Sequence, residues 1–207
     1  MDIKNELSME QAILETAESM FLNKGFAATS TTQIAREVGC NQALVHYYFR
    51  TKENLFNVIF EQKFKLFFQN AFDAGNLDNL KFTDKLKYII ETHFDILSSN
   101  PKLPVLIINE LARQPHQIEI LRDKLRMIPE LLFKKLNEEL RVEIEQGRIR
   151  DVNLMDLLIS LISLNVSLFI FMPILETVLS MDETQKEFLI KHRRAENVEF
   201  ILKSLRP

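Results

Sequence analysis

The side chains with the most chemistry to offer in this sequence lie between Ser30 and Lys52. Gln42, Ala43, His46 and Tyr47 recur at spacings of three and four residues, with Asn41 just ahead, so on a helix they share a face that is polar, small or aromatic. Such a face has no bulky aliphatic side chain to keep it out of a DNA major groove. Gln42 is the strongest candidate for base reading, because its amide can bond adenine N6 and N7 together. Catalysis has no comparable basis. No Ser/His/Asp order, paired-carboxylate setting or glycine-rich phosphate loop is visible, so no enzyme is expected. His93, His116 and His192 stand alone, and the single Cys40 has no ligand at metal-binding spacing, so neither a metal nor a cofactor is expected. Cys40 reads as a small buried filler.

The elements that must position these residues are short and well punctuated. Ser30 with Gln33 three residues on is a capping box, Ile34, Ala35 and Val38 form an apolar side, and Gly39 stops the helix. Asn41 caps the next helix, Gln42 to Tyr48. Two such helices packed through Ile34, Ala35, Val38 and Val45 make a helix-turn-helix. Upstream, Ser8 with Gln11 predicts the capped start of a first helix, striped by Ile13, Leu14, Ala17, Met20 and Phe21 and ended by Gly25, with Phe26 packing back. Thr51 caps a fourth helix that runs through Phe60, Phe64 and Phe67. Longer helices are expected over 83–98, 102–113, 117–146, 153–179 and 183–205, with Pro129 and Pro173 kinking two of them. Four Gly and six Pro in 207 residues leave little for hairpin turns. The fold class is therefore all-α: a three-helix helix-turn-helix DNA-binding domain over 1–54, then a helical ligand-binding and dimerisation domain over 55–207.

The string from Ile13 to Phe56 resembles the amino-terminal DNA-binding domain of the TetR/AcrR family of transcriptional regulators. Carrying the resemblance are Phe21 with Gly25-Phe26, the Ile34-Ala35 pair before Gly39, the Tyr47-Tyr48-Phe49 cluster, and Thr51-Lys52-Glu53 followed by Leu55. The turn Gly147-Arg148-Ile149-Arg150 is a further family-like detail. The resemblance implies a homodimeric repressor that reads a palindromic operator and is released by a small-molecule inducer. By position it implies phosphate contacts at Ser30, Thr31 and Thr32, base-edge contacts at Gln42, Ala43 and Leu44, and groove or backbone contacts at His46, Tyr47 and Lys52. Asn41 and Ser30 serve at least as caps. One position departs from the family: residue 46, more often Tyr, is His here.

In the carboxy-terminal domain the expected cavity lining is mostly apolar, as helix-bundle ligand sites are. Candidates are Phe64, Phe68, Phe94, Leu97, Leu106, Ile107, Phe133, Leu161 and Phe169, with His93, Asn109 and Asn165 as polar contacts; all of them also fit a plain core at helical spacing. Leu157 to Leu175 holds no charge and is roughly bilayer length, but Asp156 and Glu176 flank it and no nearby Lys or Arg would orient it. A buried helix of a cytoplasmic protein is the expectation, with no membrane partner. Packed on its symmetry mate and on 183–205, it predicts a dimer interface through Leu161, Leu164, Leu168, Phe188, Ala195, Val198 and Leu202, with Ser160, Ser163 and Ser167 permitting close approach.

Charge sharpens the DNA expectation. The chain carries 26 Lys+Arg against 29 Asp+Glu, a formal −3. From Thr29 to Leu55, however, Arg36, Arg50 and Lys52 face only Glu37 and Glu53. A head that neutralises few phosphates must rely on dimerisation, helix N-termini and base contacts, so non-specific binding is expected to be weak.

Overall fold

Gly39 takes φ 81°, ψ 26°, a left-handed conformation that lets α2 (Thr31–Val38) stop within one residue, and α3 (Gln42–Phe49) starts three residues later. The caps are those the sequence predicts. The Ser30 hydroxyl accepts the Gln33 amide while the Gln33 side chain accepts the Ser30 amide, and Asn41 accepts the Leu44 amide at 2.8 Å. The computed structural model describes residues 3–71, 80–113 and 127–207. Among these residues every regular element is a helix. The remaining ones are α1 (Ile3–Lys24), α4 (Lys52–Ala71), α5 (Phe82–Ser99), α6 (Leu103–Arg113), α7 (Met127–Glu145), α8 (Leu154–Val178) and α9 (Glu183–Ser204). The expected helix 117–146 is thus described only from Met127, and His116 lies outside the described residues.

One expectation at the amino terminus is corrected. α1 begins at Ile3, so Ser8 lies inside the helix rather than at its start, and the Gln11 side chain bonds Glu15 at 2.9 Å. A favourable capping pair marks a possible start but cannot stop a helix that upstream residues continue. Pro173 sits within α8, which runs on past it to Val178.

The chain divides into two compact units, Met1–Lys65 with Val105–Asp123, and Leu66–Pro104 with Lys124–Pro207. In the first, the α1 stripe Ile13, Leu14, Ala17, Met20 and Phe21 meets Ile34 and Ala35 of α2, Val45 and Phe49 of α3, and Leu55, Phe56 and Ile59 of α4. Phe26 folds back as expected, its ring 5.2 Å from Phe21 and 5.4 Å from Phe56. This buried aromatic trio ties α1 and α4 together through the loop that precedes α2.

In the second unit α8 packs with α5 and α9. Leu157, Leu158 and Leu161 of α8 join Leu86, Ile89 and Ile90 of α5 and Val198 and Ile201 of α9. Further along, Leu168, Phe169 and Met172 join Phe94 and Leu97. α8 is long and apolar enough to cross a bilayer; one side of it packs into this core, and the other leaves apolar side chains exposed. Electrostatics clamp the same elements. Arg194 of α9 forms a two-pronged pair with Asp95 at 2.7 Å on each prong and also reaches Glu91. Lys85 of α5, almost wholly covered, pairs with Glu139 of α7 at 2.7 Å.

Candidate functional site

The amino-terminal unit presents the expected face. Asn41, Gln42, Ala43, His46 and Tyr47 are exposed on α3, while Val45 and Phe49 on the opposite side are buried. Tyr47 is 64% exposed and stands edge-on to Tyr48. Leu44 is half-buried. Tyr47 packs only its edge on Tyr48, so most of its ring is open to a partner. Thr32 and Ser30 are exposed at the start of α2, and Thr31 is half-buried.

Contacts between elements tie this face together. Gln42 Nε2 donates to Thr31 Oγ1 at 3.2 Å and lies 3.2 Å from His46 Nε2, so three of the expected site residues form one surface network. His46 Nδ1 lies 2.7 Å from the Arg50 carbonyl. Lys52 is differently placed. Its ammonium donates to the carbonyls of Phe26 and Thr29, both at 2.9 Å, and sits 4.1 Å above the Phe26 ring. It pins the loop before α2 to the start of α4, leaving one N–H for any further acceptor.

A shallow groove of about 440 Å³ runs beside this network, lined among others by Ser30, Thr31, His46, Arg50, Lys52 and Glu53. Arg50 is the residue that sequence reasoning passed over as a site. It follows α3 directly, is exposed, and takes φ 63°, ψ −57°, with the Thr51 amide bonding the Phe49 carbonyl at 2.6 Å. That is a γ-turn of positive φ, a strained conformation for a non-glycine residue. The available signal was a lone basic residue at the end of a helix with no glycine behind it.

In the carboxy-terminal unit five of the twelve ligand candidates come together. Phe94 and Phe169 lie 5.3 Å apart with Leu97 beside them, and His93 bonds Asn165. Phe94, Leu97 and Phe169 are buried against one another. Phe133 packs on the other cluster of the unit, with Leu161. Asn109 is exposed, Leu106 packs in the core of the first unit, and Ile107 is half-buried. The side chains of Phe64 and Phe68 lie outside the described residues.

Asn165 is the polar hub. Its Nδ2 donates to the Ile90 carbonyl at 2.9 Å and to His93 Nδ1 at 3.1 Å, and its Oδ1 accepts from Asn197 Nδ2 at 2.9 Å. His93 Nδ1 is therefore the acceptor, and the neutral ring carries its proton on Nε2. Burial pushes the His93 imidazole down to about 4. The unfolded chain returns it to the ordinary value of 6.5, so between those values unfolding takes up a proton. Stability must fall as pH drops through that window, by about 3 kcal/mol. Melting temperatures of wild type and His93→Gln across the window should diverge, the variant losing this share of the acid sensitivity; parallel curves would refute the assignment.

The dimer face expected from sequence needs correction. Leu161, Leu168 and Val198 are buried within their own unit, so they have no surface to offer a second copy. Leu164 and Leu202 are half-buried, whereas Phe188 and Ala195 are exposed. The outward side of α8 carries Met155, Ile159, Ile162 and Ile174 instead, with Ser160 and Ser163 among them.

A rigid three-helix base that presents a second short helix with a polar, exposed face is a helix-turn-helix DNA-binding head. The family model "Bacterial regulatory proteins, tetR family" matches residues 13–59, so the amino-terminal segment carries the DNA-binding domain of that family. A curated relative, the fatty acid metabolism regulator protein of Bacillus subtilis, is 23% identical over 139 residues, 67% of this chain and 70% of that one. Among solved structures, a tetR-family regulatory protein from Rhodococcus RHA1 superposes with a TM-score of 0.74 at 18% identity, covering 96% of this chain and 97% of that one. The fatty acid degradation regulator FadR of Bacillus halodurans gives 0.62 at 18% identity, with 92% and 94% covered. These structures share the fold over nearly the whole chain.

Proposed function

We propose that the protein is a cytoplasmic homodimeric repressor that reads a palindromic operator with α3 and leaves it when a small apolar molecule binds the carboxy-terminal unit. The exposed Gln42–Ala43–His46–Tyr47 face over a buried Val45–Phe49 side is the observation that carries the DNA half. Ser30, Thr31, Thr32 and Asn41 at the helix starts, together with Lys52, flank it as phosphate contacts, and Leu44 adds an edge contact to the bases. The two-fold axis is assigned to the outward side of α8 and the Phe188–Ala195 side of α9, where unpartnered apolar residues concentrate.

For the inducer, the relatives point to a fatty acid or a derivative of one, since two of those described above regulate fatty acid metabolism or degradation. The apolar wall of Phe94, Leu97 and Phe169 beside the His93–Asn165 pair suits an acyl chain with one polar end. Footprinting on the chromosomal region around the gene should protect a palindrome, and long-chain fatty acids should release it in a dose-dependent way. Protection of a single asymmetric site would count against the dimeric reading. Retention of the footprint at saturating fatty acid would remove the inducer class.

A further inference from the structure

We infer that His46 is a positioning residue for base reading: it holds the Gln42 amide nitrogen inward, so that only the amide oxygen faces the groove. The inference rests on the proposal that α3 is the recognition helix, and it changes what that helix reads.

The protonation pattern follows from the partners. A carbonyl oxygen can only accept, so His46 Nδ1, 2.7 Å from the Arg50 carbonyl, carries the ring proton. In the neutral imidazole Nε2 is then an acceptor. Gln42 Nε2 lies 3.2 Å from it and 3.2 Å from Thr31 Oγ1, so both amide protons are committed within the protein. Turning the amide over would set its oxygen against the His46 lone pair. Gln42 is exposed, and its Oε1 accepts no bond from the described residues. The γ-turn at Arg50 aims the carbonyl that fixes the ring, which gives that strained turn a purpose.

The consequence concerns base identity. A glutamine with a free amide bonds adenine N6 and N7 together and so excludes the other bases. With its nitrogen held, Gln42 presents one acceptor, which any base bearing an amino group in the major groove can satisfy. Adenine offers N6 and cytosine N4, whereas guanine and thymine place carbonyl oxygens there. On the strand that Gln42 faces, the operator should therefore accept adenine or cytosine and reject guanine and thymine.

Selection of bound duplexes from a random pool, followed by sequencing, tests this with the full-length protein. The position whose preference disappears in Gln42→Ala is the one Gln42 reads. Wild type should enrich adenine and cytosine there to within about threefold of each other, as a single shared contact predicts. His46→Phe keeps an aromatic ring but frees the amide nitrogen, and should raise the adenine-to-cytosine ratio about tenfold, the size of one added bidentate contact. Thr31→Val removes the other acceptor and should move the ratio the same way. A ring that merely supported α3 would depress enrichment of every sequence and leave the ratio alone; that result overturns the inference. So does a wild-type protein that already selects adenine over cytosine about tenfold. Failure to enrich any sequence would overturn both this inference and the DNA-reading proposal beneath it.

Discussion

Asn165→Leu is expected to destabilise the carboxy-terminal unit by about 3 kcal/mol, because it strands a buried amide rather than because it leaves a hole. Leucine nearly matches asparagine in shape but bonds nothing. Asn197, fully buried, would lose the acceptor for its Nδ2, and its Oδ1 already has no partner among the described residues. The Asn197 amide would then be entirely unsatisfied, while His93 would lose the donor to its Nδ1. Replacing both asparagines removes the stranded group, so Asn165→Leu with Asn197→Leu should be more stable than Asn165→Leu alone. Thermal unfolding of the four proteins checks this; for a chain of this size the single variant should melt roughly 6–12 °C lower. Equal or additive losses would mean that the three helices do not depend on the polar network.

That network also shows where sequence reading stops. Asn165 is visible in the sequence as a polar residue on an uncharged apolar helix, but its partners lie 75, 72 and 32 residues away. No local pattern names them. The same limit explains why Leu161 and Leu168 were expected at a dimer face and lie in the core instead. α8 is apolar nearly all round, so its composition has no period to tell inside from outside, and only the contacts with α5 and α9 choose Leu161 and Leu168 for the core. By contrast, α2 and α3 were legible to within one residue. Their caps at Ser30 and Asn41 and the stop at Gly39 are local chemistry, decided within four residues of chain. The site divides along the same line. Which residues α3 exposes followed from spacing, whereas the tie from Gln42 to Thr31 and the double anchoring of Lys52 to Phe26 and Thr29 needed the packed head. In the proposed role of His46, the Thr31 bond and the local His46 contact together turn Gln42 from a general reader of adenine into a reader of one amino group.

Ile162→Glu tests the proposed assembly and carries the largest functional effect. Ile162 is about half exposed on the outward side of α8, between Ile159 and the small side chain of Ser163, so a glutamate there stays in water in the monomer and should leave the fold intact. In a two-fold interface the substitution occurs twice near the axis, placing two like-charged carboxylates in an apolar contact. The variant should run as a 24.3 kDa monomer where wild type runs as a dimer. Operator affinity should drop at least about a hundredfold, because the second head no longer binds at the effective concentration that the first one sets. The small number of cations on the head makes this loss severe. With only Arg36, Arg50 and Lys52 as cations from Thr29 to Leu55, a single head draws little from the phosphates and cannot compensate through non-specific attraction. A variant that stays dimeric would move the interface elsewhere. A monomeric variant that holds its operator as tightly as wild type would show that each head reads DNA alone, leaving the palindrome without a physical role.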